Sequence, residues 1–310
     1  MTTGRVDGKS ITLDLNGCSV QVDNRAFNVV NKGTLTLDDA AGAGSLVVKK
    51  NGALSLGIVT GSGGSFVMKG GTLEVPEYGA YITNGCNGDL ISMQGGVVKA
   101  AYGLCAVGNG TEHSARIEIS GGEVTGSTFG VATNGSAPGV DVAMTGGTVT
   151  STGEGAPAMY LPAPKSTTAI SGGVVKGDAG IEIRAGALTV SGDAQISGTG
   201  KLEVKPTGNG STSSGAAIAV AQHTTKKPIN VTVSGNAKLV GTTAVYESNP
   251  QKNDATSIAK VKLSLAGGTV ETTAKTARAS SPAAPTIPSC PLLSSPMDRL
   301  CSSMPTVRRS

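Results

Sequence analysis

The sequence predicts an all-β solenoid, a parallel β-helix of about ten or eleven coils, and three observations carry that expectation. A Gly-Gly pair returns at Gly70, Gly95, Gly121, Gly146 and Gly172, in steps of 25, 26, 25 and 26 residues. The text around each pair repeats as FVMKGGTLE, ISMQGGVVK, IEISGGEVT, VAMTGGTVT and AISGGVVK, weakens to LTVSGDA at Gly192 and VTVSGNA at Gly235, and returns as LSLAGGTV at Gly267. Glycine makes up 46 of the 310 residues, only 38% are hydrophobic, and there are three Phe and no Trp, so an aromatic core is not expected. Gly and β-branched residues interrupt every window in which helical periodicity could develop.

The first strand of each repeat lies just before the pair. Counting four and two residues back from its first glycine gives Phe66/Met68, Ile91/Met93, Ile117/Ile119, Val142/Met144, Leu188/Val190, Val231/Val233 and Leu263/Leu265. This period of two marks side chains that point inward from a strand. The second strand follows the pair, because the third residue after the first glycine forms an aliphatic column of Leu73, Val98, Val124, Val149, Val175 and Val270. The chain must bend at the glycines to keep both sets facing one core. A third strand reads as YGAYITNG from Tyr78, YGLCAVGNG from Tyr102, FGVATNG from Phe129 and AGIEIRAG from Ala179. Three short strands per turn define the coil.

The schedule slips between Gly192 and Gly235, where the chain supplies either one more coil or a protruding loop, with a mobile turn expected over Gly208 to Gly215. The segment GEGAPAMYLPAPKS (Gly153 to Ser166) and the stretch from Gly110 to Ser114 read as further loops. Past Gly268 there is no glycine, and Pro282, Pro285, Pro288, Pro291, Pro296 and Pro305 crowd the end. The expected organisation is one β-helix domain over 1–277 and a Pro/Ser-rich tail over 278–310 that reads as disordered linker or as sequence foreign to the domain.

Composition removes several classes of function. A formal charge of +4 spread along the chain leaves no basic stripe for nucleic acid. No stretch approaches the length of an apolar membrane span, and MTTGRVDGKS carries no signal-peptide core. Cys18, Cys86, Cys105, Cys290 and Cys301 fit no metal spacing and read as buried free thiols. No metal or cofactor is expected.

These repeats, with ITLDLNG (Ile11 to Gly17) and LTLDDAAGAGSL (Leu35 to Leu46), resemble the pectate-lyase-like β-helices of bacterial extracellular and surface proteins. The likeness runs from about Lys9 to Val270. It implies a right-handed, single-stranded parallel β-helix in an extracellular or cell-surface, glycan-facing setting. Relatives of that fold include polysaccharide lyases, glycoside hydrolases and adhesin-like proteins, so fold alone leaves the activity open.

Chemistry in such a stack is sought at equal positions of neighbouring coils. Arg116, Glu118 and Asp141 share one outward face, with His113 in the turn just ahead. Two carboxylates one coil and two residues apart suit glycoside hydrolysis; the same residues also make a solvated salt-bridge ladder. Glu74 and Lys99 form a second stacked charge pair. Glu182 and Arg184 project outward from IEIRAG, with Asp178 and Glu154 in nearby turns. Asp38-Asp39 is the only acidic doublet and reads as a turn, which leaves calcium-dependent lyase chemistry the least supported. His223 reads as a solvated loop histidine. Tyr78, Tyr102 and Phe129, each just before a glycine and near the outward Tyr81, make either a platform for pyranose rings or an aromatic spine at a corner.

Three functions follow as expectations: a glycan-binding, adhesin-like surface module, a glycoside hydrolase acting through Glu118 and Asp141, or a structural spacer.

Overall fold

A computed structural model describes residues 3–50, 54–83, 88–106, 115–134, 139–208, 210–247, 256 and 259–273. Within them the chain winds over three faces in turn. The first face is a ten-stranded parallel sheet running from Ser10–Asp14 to Val261–Leu265. The second runs from Ser19–Asp23 to Thr269–Thr272 and the third from Gly4–Asp7 to Thr243–Glu247. These two merge into one 18-stranded sheet because Val97–Ala106 and Glu123–Thr133 turn the corner without breaking, where separate second and third strands are expected from the sequence. A register shift between Ala100 and Tyr102 absorbs the bend.

The inward columns follow the expected indexing. On the first face Leu35, Phe66, Ile91, Ile117 and Val142 stack in register, and on the second Leu46, Leu73, Val98, Val124, Val149 and Val175 do so. All are buried. Each such side chain contributes roughly 2 kcal/mol through burial, and it does so only because a coil lies above and below. Ile11 and Leu265, in the first and last strands of that sheet, remain 42% and 41% exposed.

Both glycines of each pair are required, for different reasons. At Gly95, Gly121, Gly146 and Gly172 a Cβ would overlap the carbonyl oxygen of the coil beneath, from Lys69, Gln94, Ser120 and Thr145 respectively. The second glycine has left-handed backbone, with φ of 74° at Gly96, 75° at Gly122 and 78° at Gly147. Coil spacing set by the ladder hydrogen bonds leaves the first no room, and the bend between faces imposes the second's conformation.

Three expectations about irregular segments are corrected. Pro157–Leu161, inside the segment read as a loop, is a strand of the third face, with Met159 and Leu161 buried and Tyr160 outward. Proline at its first position leaves the ladder intact. The long stretch before Gly235 adds no extra coil and follows the protruding-segment alternative: Ala216–Val220 is a strand of the third face, and strand replaces the turn expected over Gly208 to Gly215. Glu203–Thr207 and Gly210–Ser214 pair as an antiparallel hairpin inserted between two strands of the stack. The Thr212 hydroxyl donates to Glu182 and the Thr207 hydroxyl accepts from Arg184, both on the third face, which orders it. Cys105 is a buried free thiol as expected, whereas Cys18 is exposed. His113, Cys86, Cys290, Cys301, Gly110 to Ser114 and the tail 278–310 lie outside the described residues.

Candidate functional site

The third face carries a groove of about 580 Å³. Its origin is legible strand by strand. In YGAYI, YGLCA and FGVAT the glycines Gly79, Gly103 and Gly130 sit against the valine column inside the corner, at Val98, Val124 and Val149, where only hydrogen fits. The preceding aromatic is thereby left on the outside. Register places Tyr78 beside Tyr102 and Tyr102 beside Phe129.

Three residues further along each strand comes the outward column Tyr81, Cys105, Ala132, Tyr160 and Glu182. Two small side chains between two tyrosines leave a trough. Cys105 and Ala132 form its floor, and Tyr78, Tyr102, Phe129 and Tyr160 its aromatic wall. The opposite wall is polar, with Asn134, His223, Thr225 and Lys227. No carboxylate lines it among the described residues.

The aromatic wall is rigid. Tyr78 and Tyr102 stack at 4.7 Å with planes 11° apart, and Phe129 and Tyr160 stack at 4.8 Å and 8°. The two pairs meet edge to face at 5.8 Å. Arg184 lies 5.5 Å from the centre of the Tyr160 ring. The rings expected as a platform are thus brought together, with Tyr160 as a fourth member, but one face of each covers its neighbour. A ligand meets ring rims and phenol hydroxyls. Burial raises the Tyr78 phenol, and it raises that of Tyr160 against the opposing pull of Arg184, so both stay protonated donors at neutral pH.

The other wall and the floor each carry one group whose titration the groove alters. Thr133, 5% exposed, is in register with the core residues Ala106 and Ile82, so its hydroxyl, which has no hydrogen-bond partner, faces the core and not the groove. Partial burial, and then the nearby Arg184 charge, lower the His223 pKa, which favours the neutral ring. Its Nδ1 accepts from the Thr225 amide at 3.1 Å, leaving the proton on Nε2. In the floor, burial pushes the Cys105 thiol up to about 12, so it is a poor nucleophile.

Glu182 and Arg184 are outward from the coil, as expected, yet not open to solvent. They are 1% and 3% exposed and form an ion pair of 2.7 Å beneath the hairpin. Arg184 also donates to the Ser211 carbonyl oxygen at 2.7 Å, and the Thr212 hydroxyl donates to Glu182 at 2.5 Å. Asp178 accepts from the Gly155 amide at 2.6 Å and ties two turns together. A direct substrate contact through Glu182 or Arg184 would require the hairpin to lift.

On the first face, Arg116 lies in register with Asp141, and Glu118 two residues further along the same strand. Arg116 and Glu118 form an ion pair of 3.6 Å, with side chains 59% and 42% exposed. Asp141 accepts from both the amide and the hydroxyl of Thr167, at 3.1 and 2.6 Å. The geometry is that of a ladder of surface contacts, each worth less than about 1 kcal/mol. Among the described residues Glu118 stands on an open strand face, not in an enclosed cleft. Glu74 and Lys99 are neighbours in register, and Asp39 accepts from the Gly17 and Gly44 amides, which keeps its carboxyl below the usual range. Among the described residues no group of three or more His, Cys, Asp or Glu could hold a metal.

The class these features define is a three-faced parallel β-helix with an amphipathic lateral groove. No family model matches the chain, and no match is found among curated proteins or solved structures. Among the described residues no helix is long and apolar enough to cross a membrane.

Tyr160 and Lys227 were missed by sequence reasoning. PAMYL aligns with YGAYI, which puts Tyr160 at the position of Tyr81, but flanking Pro157 and Pro162 conceal the strand. Lys227 carries no local signal, because only the winding of the coils brings it to the groove.

Proposed function

We propose that this protein is an extracellular or cell-surface β-helix, akin to pectate-lyase-like repeat proteins, that binds an extended polysaccharide in the groove of the third face. The observation that carries this reading is the pairing of an aromatic wall with a wall of hydroxyl, amide, imidazole and ammonium groups across an uncharged floor. A sugar ring has the same two-sided character, with apolar C–H surfaces and a polar rim, and sites of this kind place few polar groups in an otherwise apolar cleft. Hydrolysis by paired carboxylates is less well supported, since the groove has no acid among its described lining and Glu118 and Asp141 stand on an open face.

The test is binding of the full chain to a glycan array, followed by calorimetry on the best ligand. Binding without turnover is expected, weakened at least severalfold by Thr225→Val and by Lys227→Ala and unchanged by Glu118→Gln. Binding indifferent to both groove variants, or sugar release lost with Glu118→Gln or Asp141→Asn, would overturn the reading.

A further inference from the structure

The groove stops at a wall made by this chain. Its outward column continues past Tyr160 through Glu182 and Ala219 to Tyr246, coil by coil. Beyond Glu182 the face has a second region of small side chains, Ala219 in this column and Ala216 three residues before it, comparable to the trough over Cys105 and Ala132. There the space is filled, because Leu202 and Val204 from the hairpin and the strand leading into it pack onto Ala216, Ala219 and Tyr246.

Between the open trough and the filled one lies the clamp. The Glu182–Arg184 pair, almost wholly buried, holds the hairpin through Ser211 and Thr212, while Arg184 backs the Tyr160 ring. The turn at Gln222 to Lys227 is braced too: the His223 amide donates to the Arg184 carbonyl oxygen at 3.2 Å, and Gln222 Nε2 to the Lys227 carbonyl oxygen at 3.0 Å. A regular repeat would leave a furrow open along the whole face. The inserted hairpin interrupts it at Tyr160.

We propose that the hairpin makes the groove blind at this end, so that it receives the terminus of a glycan chain and does not let a chain interior pass along the stack. This rests on the glycan reading of the same groove, and the test separates the two. Linear xylo-, cello-, malto- and galacturono-oligosaccharides of two to eight units are titrated in three forms: free, coupled to streptavidin through the reducing end, and coupled through the non-reducing end.

In whichever series binds, attachment at one end is expected to weaken binding at least tenfold and attachment at the other to leave it within twofold. Equal binding of both coupled forms would overturn the blind end and leave glycan binding standing. Failure of every free sugar to bind would overturn both. A second variant, with residues 203–214 excised and Glu182→Ser and Arg184→Ser introduced so that no buried charge is left bare, extends the furrow. Once its far-UV spectrum shows an intact β-helix, it is expected to regain binding to the excluded form; continued exclusion would count against the hairpin as the wall.

Discussion

Replacing glycines one at a time separates the two demands that the coil places on its Gly-Gly pair. Gly155 has φ of 70° and open space around its missing Cβ, so Gly155→Ala carries only the strain of a left-handed alanine, about 1–2 kcal/mol. Gly121 has no such backbone, but its Cβ would run into the Gln94 carbonyl oxygen. Hydrogen bonds from Ser120 to Met93 at 2.8 Å and from Glu123 to Gly96 at 2.9 Å hold the two coils on either side of that contact. Relief requires backbone movement, and Gly121→Ala is expected to cost about 1–3 kcal/mol as overpacking. At Gly122 both effects act, because φ is 75° and a Cβ would meet both the Gly96 carbonyl oxygen and Met93 Cε. The expected loss for Gly122→Ala is about 2–5 kcal/mol. Urea unfolding of the full chain, followed by far-UV circular dichroism, measures all three. The decisive comparison uses asparagine, which tolerates left-handed backbone: Gly155→Asn should recover most of the alanine loss and Gly121→Asn none of it. Recovery at both positions, or at neither, would refute the division into conformation and crowding.

Other consequences are equally open to measurement. Glu182→Gln leaves Arg184 buried without its counter-charge and should cost about 3–5 kcal/mol, whereas the double change Glu182→Met with Arg184→Met should cost much less; urea midpoints in the reverse order would contradict the buried-pair account. His223 has a folded pKa below its ordinary 6.5, so the unfolded chain takes up the proton first. Its contribution to stability should be full above about pH 6.5 and fall as the pH drops through the folded value. Melting temperatures of wild type and His223→Gln at pH 7.5 and pH 5 would show it as a larger acid-induced loss in the wild type. Mass mapping after brief iodoacetamide treatment should find Cys18 alkylated in the native protein and Cys105 only after unfolding, since burial both hides that thiol and raises it to about 12.

Much of the fold could be read directly. Phe66, Ile91, Ile117 and Leu73, Val98, Val124 fall on the indexed columns because inward or outward direction is a local parity along a strand. The same parity identified Tyr78, Tyr102 and Phe129 as one column and Arg116, Glu118 and Asp141 as neighbours. It failed where the local text misleads, at Pro157–Leu161 with its flanking prolines and at the Ser/Thr-rich strand Gly210–Ser214, whose order comes from partners on another coil.

By itself the sequence determined the solenoid, its three strands per turn, the core columns and the need for glycine at each bend, all of which follow from spacing within a single repeat. Only the tertiary structure decided what the outward residues do. Cys105 and Ala132 became the floor of an open groove while Ala216 and Ala219 were covered, and Glu182 and Arg184 changed from surface charges into a buried clamp. Those outcomes depend on which distant segment lies over a face, a contact between residues 12 or more positions apart that no local period encodes. Winding the chain supplies the neighbours, and the neighbours set burial, charge state and access.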